Sequence, residues 1–503
     1  EKKRSYVSDI REHSLDRMRE ESRKRDSVAP VHLNVDGFSV EKKRWAILFL
    51  FCFGSFTNAA TWITYASVDE ITYRYYDIPP FLPPYLSLLF LFAYLPCFFV
   101  ASQTFSKKGL KFGVVCGGLL TTAGSALRCL GSWPHPAAFA AVFIGQTLNA
   151  FGQPFFMGAP TMLAETWFAP SQRTLATTIS SMFNPLGSAF GQVLPSLLIA
   201  VPMYLFPAPT INETTSCPNN CSSFGICNTT LVPPTCECWD GWYGETCDGY
   251  PNFFLLTLVE AVLPLISTIL LILFFKSKPD HFPSLSASEM RIPFKEALKS
   301  CFTDRHFVLL ALTFGLGLGV FNSISTILGI VVGSAGYGDS DAGLFGALLI
   351  GLGLVGAGIA GPVIDKTKKY KLLLRLYLVL SSVIFTVFTL LLEPGRYNIL
   401  AVLMALVGFF ATPILPICLE LGAEVAFPME ETTSSNFLMA SGQVFGIPLI
   451  VVTSSMLGAS PTLAEAKIAL WILSGSVYVS TVLSFVFNAS EPTWLKGDTQ
   501  HLM

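Results

Sequence analysis

The sequence predicts an all-α membrane protein that crosses the bilayer twelve times. Hydrophobic residues make up 52% of the 503 positions and charged residues only 13%, against about 25% charged residues in soluble globular domains. The mean hydropathy is +0.55. Apolar runs of roughly twenty residues recur along the chain, and each is long enough to cross a hydrocarbon core of about 30 Å.

The order of apolar and polar stretches divides the chain into seven segments. We assign a cytosolic polar tail (1–44), transmembrane helices 1–5 (45–205), an extracytoplasmic loop (206–250), transmembrane helix 6 (251–275), a cytosolic loop (276–305), transmembrane helices 7–12 (306–487) and a cytosolic tail (488–503). Within these segments the fourth and tenth spans are predicted as continuous runs at 138–160 and 398–421.

The orientation follows from the Lys and Arg content of the connections. One set of connections holds Lys107, Lys108, Arg173 and the basic run 276–305, whereas the loop 206–250 has neither Lys nor Arg. Because positively charged loops stay on the cytosolic side, both termini are expected in the cytosol. We expect a multi-pass protein of the plasma membrane, with the endolysosomal membrane as the alternative.

A cysteine-rich stretch interrupts the chain between the fifth and sixth spans. Residues 217–247 contain six of the twelve cysteines, spaced C-x3-C-x5-C-x8-C-x-C-x8-C. Disulfides persist in oxidising compartments, which agrees with an extracytoplasmic loop. A segment this small cannot bury enough core to fold alone, so bridges would supply its stability. Six cysteines permit fifteen pairings.

The stretch resembles an EGF-like module, ending in CxxGxxGxxC. The resemblance implies the pairs Cys217–Cys227, Cys221–Cys236 and Cys238–Cys247. The same loop carries the glycosylation sequons of Asn212, Asn220 and Asn228. Two interpretations stay open: a surface that binds an extracellular protein partner, or a glycosylated shield over the outer face of the membrane bundle, which we favour.

The two halves of the chain show a weak internal repeat. ETWFAP follows the fourth span and EVAFP follows the tenth, and each precedes a Ser/Thr-rich span. Six spans followed by six more with matching features indicate a parallel duplication.

These features resemble a known transporter family. GPVIDKTKKYK resembles the cytosolic loop motif of the major facilitator superfamily, with Gly361, Asp365 and Lys366 in the motif's positions, whereas Ser106 replaces the acid of the first-half motif. RWAILFLFCFGSFTNAATWITYASV, GQTLNAFGQPFFMGAPTMLAETWF and SGQVFGIPLI resemble the feline leukaemia virus subgroup C receptor-related group, solute carrier family 49. The resemblance implies the major facilitator fold, with two six-helix halves around one cavity and alternating access.

Four positions are candidates for substrate binding. The resemblance places Trp62, Gln153 and Gln443 in the cavity. An aromatic ring face there attracts a cation. Amides that line a water-filled cavity avoid the free-energy cost of burial in hydrocarbon without a hydrogen-bond partner. The alternatives are an interfacial Trp and amides that join helices. Asn322 falls where the family has a second aromatic, and Phe321 beside it is expected to point about 100° away.

Acidic residues suggest gating or coupling. Glu260 lies inside the sixth span, where an acid indicates function by default; proton coupling and an ion pair with Arg128 are the alternatives. Acids near the cytosolic ends of spans four and ten, with Arg173 and Lys366 as expected partners, suggest a gate, solvated loop charges being the alternative. The candidates for gating or coupling are Glu165, Glu260, Asp365, Lys366, Glu420 and Glu424.

The sequence therefore predicts a secondary-active or facilitative transporter of a small organic solute, best a cation like choline or ethanolamine. The alternatives are a haem or pyridoxine-like vitamin transporter of the same family, or a receptor or adhesion protein that uses the EGF-like module. The sequence shows no P-loop, GxSxG motif or metal-ligand spacing. We therefore expect no enzymatic activity, cofactor, metal or nucleic-acid partner, and a monomer in the lipid bilayer.

Overall fold

The computed structural model describes eight stretches of the chain: 41–79, 82–199, 225–228, 235–238, 251–280, 294–426, 429–458 and 461–488. Helices dominate these stretches. The descriptions below refer to them.

The first half of the bundle comprises eight helices. They are α1 (Arg44–Ile63), α2 (Asp69–Tyr76), α3 (Leu82–Lys108), α4 (Leu110–Leu130), α5 (Pro136–Met157), α6 (Pro160–Trp167), α7 (Arg173–Leu198) and α8 (Phe253–Phe274), with a 3-10 turn at Thr64–Ser67. Local chemistry fixes several of the ends. α3 and α4 are separated by Gly109, which has a φ of 79°, a value that glycine adopts without strain. The Asn252 side chain caps α8 by accepting from Leu255 N (2.9 Å).

The second half repeats this plan. Its helices are α9 (Phe294–Thr303), α10 (Arg305–Gly333), α11 (Asp339–Thr367), α12 (Tyr370–Leu391), α13 (Tyr397–Ala411), α14 (Ile414–Ala426), α15 (Glu431–Leu457) and α16 (Leu463–Val486). The short helix α9 was not predicted. It packs against α10 and α15, and Cys301 Sγ in α9 lies 3.5 Å from Met429 Sδ.

Ten segments of the described chain are long and apolar enough to cross a membrane, with α13 and α14 counted together. The two other predicted spans correspond to α5–α6 and to α7, which are rich in Ser, Thr, Asn and Gln. α5 packs along α4, and α7 packs along α1. The prediction of a helical membrane bundle is confirmed, whereas the count of twelve rests on these two more polar segments.

The fourth span of each half is broken. The tenth span was predicted to run on across its break, whereas the fourth was predicted to end at residue 160, where α6 begins. α5 ends before Gly158 and α6 starts at Pro160; α13 ends before Thr412, and Pro413 precedes α14. A proline lacks the N–H that would continue the helical ladder, so both breaks fall where the sequence carries one. The matching positions support the predicted duplication.

Close helix contacts use small residues. A Cβ atom added to Gly187 or Gly191 of α7 would lie 2.3 Å from Phe56 O and 2.0 Å from Ala60 O of α1. Glycine at these positions lets the two backbones touch, as is common between membrane helices. The two contacts also fix the register of the parallel helices α1 and α7.

The two ends of the bundle differ in charge. The end where α3, α8 and α11 finish and α4, α7 and α12 start carries Lys108, Lys111, Arg173, Lys276 and Lys366. We call it the basic end, and the other the opposite end.

The chain between α7 and α8 leaves and re-enters the bundle at one point of the opposite end. Asn252 N, just before α8, donates to Ile199 O, just after α7 (3.2 Å). We call this contact the stem. Beyond it, the structure describes an antiparallel hairpin of β1 (Gly225–Asn228) and β2 (Thr235–Cys238), with Cys227 opposite Cys236. The cysteine side chains and the sequons at Asn212 and Asn220 lie outside the described residues, so the predicted pairings stay predictions.

Candidate substrate cavity and gate

A central cavity of about 160 Å³ lies between the two halves. Residues of α1, α3, α5, α6 and α7 form one side, and residues of α10 to α15, together with Val477 of α16, form the other. In the described part of the chain, its lining contains no Asp, Glu, Lys or Arg. Any charged solute bound here must therefore be held by aromatic rings, dipoles and hydroxyl groups.

Trp62 of α1 lies in the wall of this cavity. Its indole Nε1–H donates to Ser87 O of α3 (3.1 Å), and its ring packs beside a cluster that includes Phe90 and Leu91. The hydrogen bond ties the polar edge of the ring to α3. The position agrees with the cavity interpretation of Trp62 rather than with an interfacial one.

Gln153 of α5 and Gln443 of α15 also line the cavity. Their side chains are only 5% and 3% exposed, and the amide oxygen of each has no hydrogen-bond partner in the described part of the chain. An amide that joined two helices would have such a partner. The structure therefore gives no support to helix joining as their role.

α10 presents a wide face to the cavity. Asn322 and Phe321 both belong to the lining, together with Phe314, Leu318 and Ser325. Phe321 is offset from Asn322 by about 100° around the helix, as expected, but the cavity covers enough of the helix circumference to include both positions.

The polar face of α7 was not predicted. Ser181, Asn184, Ser188 and Gln192 all line the cavity, at spacings of three and four residues that place them on one side of a helix. This periodicity, visible within 173–198, was the signal that could have revealed them.

Glu260 of α8 lies outside the cavity in a buried ion pair. Its Oε2 accepts from Arg128 Nη2 of α4 (2.6 Å), and its Oε1 accepts from the Thr64 hydroxyl. The Arg128 guanidinium also donates to Thr61 O (3.2 Å) and lies 4.8 Å from the centre of the Tyr65 ring. The geometry favours the structural alternative for Glu260 over a proton carrier.

Asp365 of α11 closes one seam between the halves at the basic end. Its carboxylate accepts from Thr174 N (3.2 Å) and Leu175 N (2.9 Å) in the first turn of α7, where the helix dipole favours a negative charge. Lys368 also bridges the seam, lying 3.6 Å from Asp365 and donating to Pro170 O (3.0 Å). Lys366 is exposed, so the bridging lysine is the one two residues further on.

The other predicted gating acids are distributed around the same seam. Glu420 of α14 accepts from the Thr177 hydroxyl of α7, across the two halves. Glu165 of α6 lies 3.9 Å from Arg173 within the first half. Glu424 lies in the last turn of α14. The contacts of Glu420 and Glu165 are both made with α7, because Arg173 is the first residue of that helix.

A second seam, between α15 and the first half, was not predicted. Asn436 is fully buried; its Nδ2 donates to Ser102 Oγ (3.1 Å), and its Oδ1 accepts from Tyr94 OH (2.8 Å). A Cβ atom added to Gly158, which lies between α5 and α6, would lie 2.3 Å from this amide. Ser435 Oγ lies 2.7 Å from Thr161 Oγ1. The two seams together close the cavity towards the basic end.

Two helical halves around a central cavity, with both seams closed at one end, define a membrane carrier that exposes its binding site alternately to the two sides of the membrane. The comparisons with known proteins agree with this class. An uncharacterized MFS-type transporter of Caenorhabditis elegans is 30% identical over 452 residues, which cover 88% of this chain and 69% of that protein. The chain belongs to the major facilitator superfamily of transporters.

Other relatives narrow the group. The human choline/ethanolamine transporter FLVCR2 is 28% identical over 84% of this chain and 73% of its own length. Solute carrier family 49 member A3 of Xenopus tropicalis is 29% identical over 82% of this chain and 78% of its own. The predicted resemblance to this group is thus confirmed.

Family models and solved structures match as well. The Major Facilitator Superfamily model matches residues 249–451, and the EGF-like domain model matches residues 217–247. The Escherichia coli fucose:proton symporter has a TM-score of 0.63 at 13% identity, covering 89% of this chain and all of that one. A bacterial homologue of the iron transporter ferroportin has a TM-score of 0.60 at 12% identity, covering 88% of this chain and 99% of that one. These likenesses establish the fold.

Proposed function

We propose that this transporter carries a small organic cation of the choline and ethanolamine type. The observation that carries the proposal is Trp62, whose ring lies in the wall of the cavity and is anchored through its N–H to Ser87. A desolvated cation over an aromatic ring gains about 2 kcal/mol or more. In a cavity whose described lining has no carboxylate, this attraction replaces a counter-ion.

The remaining polar groups suit the same solute. Gln153 and Gln443 approach from opposite halves and offer amide groups to the hydroxyl or ammonium of an amino alcohol. Phe321 adds a second ring on the far side. Relatives such as human FLVCR2 are named choline/ethanolamine transporters, which supports this substrate class over haem or vitamins.

We further propose that the basic end lies in the cytosol, because Lys and Arg accumulate there. Both termini would then be cytosolic, and the EGF-like module would face the outside of the plasma membrane. In this orientation the described state is closed to the cytosol. Release of the solute requires the seams at Asp365 and Asn436 to separate.

The test is uptake of radiolabelled choline and ethanolamine by cells that express the chain. Trp62→Ala should lower uptake of both solutes at least severalfold, because the aromatic face is lost. Trp62→Phe should retain a substantial fraction, since it keeps an aromatic face, although the ring is smaller and the N–H bond to Ser87 O is lost.

The matched control is Trp471→Ala, which removes an exposed Trp from α16 and should leave uptake unchanged. Equal uptake by wild type and Trp62→Ala, at equal surface amounts, would remove the basis of the proposal. So would the absence of choline and ethanolamine uptake by the wild type.

A further inference from the structure

Apart from the four predicted positions, three buried side chains of the described chain line the cavity with a polar atom that has no hydrogen-bond partner: Asn184, Ser381 and Thr412. Asn184 of α7 is 9% exposed and Thr412, at the break of the tenth span, is 7% exposed. In the described part of the chain, Asn184 Nδ2 and Thr412 Oγ1 have no hydrogen-bond partner. Both residues line the cavity, and they belong to different halves. Unpaired buried groups of this kind cost about 1–3 kcal/mol each.

The helix register places Asn184 and Thr412 at about the same depth. At the seam, Gly361 of α11 packs against Thr178 of α7. Two turns further from the basic end, Gly353 of α11 packs against Thr412, whose Oγ1 would lie 2.1 Å from an added Cβ. Since α7 runs antiparallel to α11, the same eight residues counted from Thr178 lead to Leu186, about half a turn beyond Asn184.

The same reasoning separates this pair from the predicted site. Gly152, beside Gln153, packs near the Asn58 side chain of α1. Gly187 contacts Phe56 and Gly191 contacts Ala60, so the level of Asn58 and Gln153 falls between Gly187 and Gly191 on α7. That level is more than one turn of α7 further from the basic end than Asn184. At about 1.5 Å per residue, Asn184 lies about 7 Å closer to the basic end than Gln153.

We propose that Asn184 and Thr412 form a second, deeper binding position, which takes the hydroxyl group of the transported amino alcohol. The inference rests on the proposed function and adds an intermediate binding position between the predicted site and the two seams. An alcohol oxygen accepts from the amide N–H of Asn184, and its proton is donated to Thr412 Oγ1. One hydroxyl group thus satisfies both unpaired atoms. Since they belong to different halves, the solute bridges the halves just above the seam at Asp365.

The experiment compares choline with ethyltrimethylammonium, in which hydrogen replaces the hydroxyl group. Wild type should take up choline in preference. Thr412→Val and Asn184→Leu each remove one polar group at similar volume. Each should reduce the preference for choline about threefold to tenfold, the value of one hydrogen bond, and leave ethyltrimethylammonium uptake nearly unchanged.

A stability measurement separates binding from a structural role. Because an unpaired polar group is removed, both variants should keep or raise the melting temperature of the purified protein. The matched control is Thr104→Val on α3, whose hydroxyl donates to Val100 O in its own helix (2.7 Å) and does not line the cavity. It should change neither the preference nor the uptake.

The outcomes distinguish the two proposals. If the wild type carries neither cation, the proposed function and the deeper position both fail. If it carries both cations but shows no preference for choline, or if the variants keep the wild-type preference, the deeper position alone is overturned. A large drop in melting temperature in both variants, with the preference intact, assigns the two residues a structural role.

Discussion

At the scale of single residues, the pair Arg128–Glu260 joins α4 to α8 inside the first half. Both side chains are almost fully buried, and the arginine also contacts Thr61 O and the Tyr65 ring. Two charges removed from solvent are stabilised only by close pairing and additional hydrogen bonds of this kind. Loss of one partner therefore costs more than the pair contributes.

Glu260→Gln should lower the free energy of unfolding by about 3–5 kcal/mol, since it leaves the Arg128 charge buried without its counter-ion. Thermal unfolding of the purified protein measures the loss. The double variant Arg128→Met, Glu260→Leu should recover most of it, because no charge remains buried.

The control for this prediction is Glu393→Gln. Glu393 forms an exposed pair with Arg396 (2.8 Å), and such pairs contribute about 0–1 kcal/mol. If Glu260→Gln melts like the wild type but alters the pH profile of transport, the residue carries protons and the structural interpretation is wrong.

At the scale of helices, the two seams close the same end by different chemistry. The seam of α7 is held by a carboxylate, Asp365, on a helix N-terminus. The seam of α15 is held by a neutral amide, Asn436, set against Gly158. The sequence already shows this asymmetry: Ser106 stands where the first-half motif would carry an acid.

Asp365→Asn should weaken the seam of α7, because the amide loses the charge that the helix N-terminus favours. Removing a charged cap costs about 0.5–2 kcal/mol. Hydrogen–deuterium exchange of the first turn of α7, which includes the Thr174 and Leu175 amides, should become several times faster.

Asp304→Asn is the matched control. Asp304 caps α10 by accepting from His306 N (2.8 Å) and Phe307 N (3.1 Å) within one half, so its loss should speed exchange only at the start of α10. If Asp365→Asn leaves exchange in α7 unchanged, Asp365 does not hold the seam.

The sequence predicted helices better than breaks and contacts. Run lengths and charge located most spans, because hydrophobicity is a local property. The short helix α9 was not predicted because its ten residues lie in a charged connection. The tenth span was predicted as continuous despite Pro413, and the fourth was predicted to end at Pro160, so the helix α6 beyond it was missed. Asn436 could not be predicted from pattern, because its partner Tyr94 lies 342 positions away. The wall positions Trp62, Gln153, Asn322 and Gln443 came from family resemblance, whereas Asn184 was missed although the polar periodicity of α7 could have indicated it.

At the scale of the whole molecule, the EGF-like segment is attached to the bundle through the stem. The Ile199–Asn252 hydrogen bond brings the two ends of the connection together without help from residues 217–247. Insertions and deletions are best tolerated where the flanking backbone is already fixed.

Deletion of 217–247, with a short Gly/Ser linker across the gap, should leave choline uptake within about twofold of the wild type, since the stem and the α7 and α8 packing remain. Uptake per molecule at the cell surface measures this. Protease protection and glycan analysis of the intact chain should first place the loop outside. If the deleted protein reaches the surface as a monodisperse species and transports nothing, the module takes part in the transport cycle.

The stem has a thermodynamic consequence for any ligand of the module. Both strands of the connection leave from α7 and α8, which belong to the same half, so rocking of one half against the other does not change the distance between the attachment points. A ligand that contacts the module alone then binds both conformations with equal affinity. Such a ligand shifts no conformational equilibrium, however tightly it binds, and would anchor or recruit the transporter without regulating its turnover.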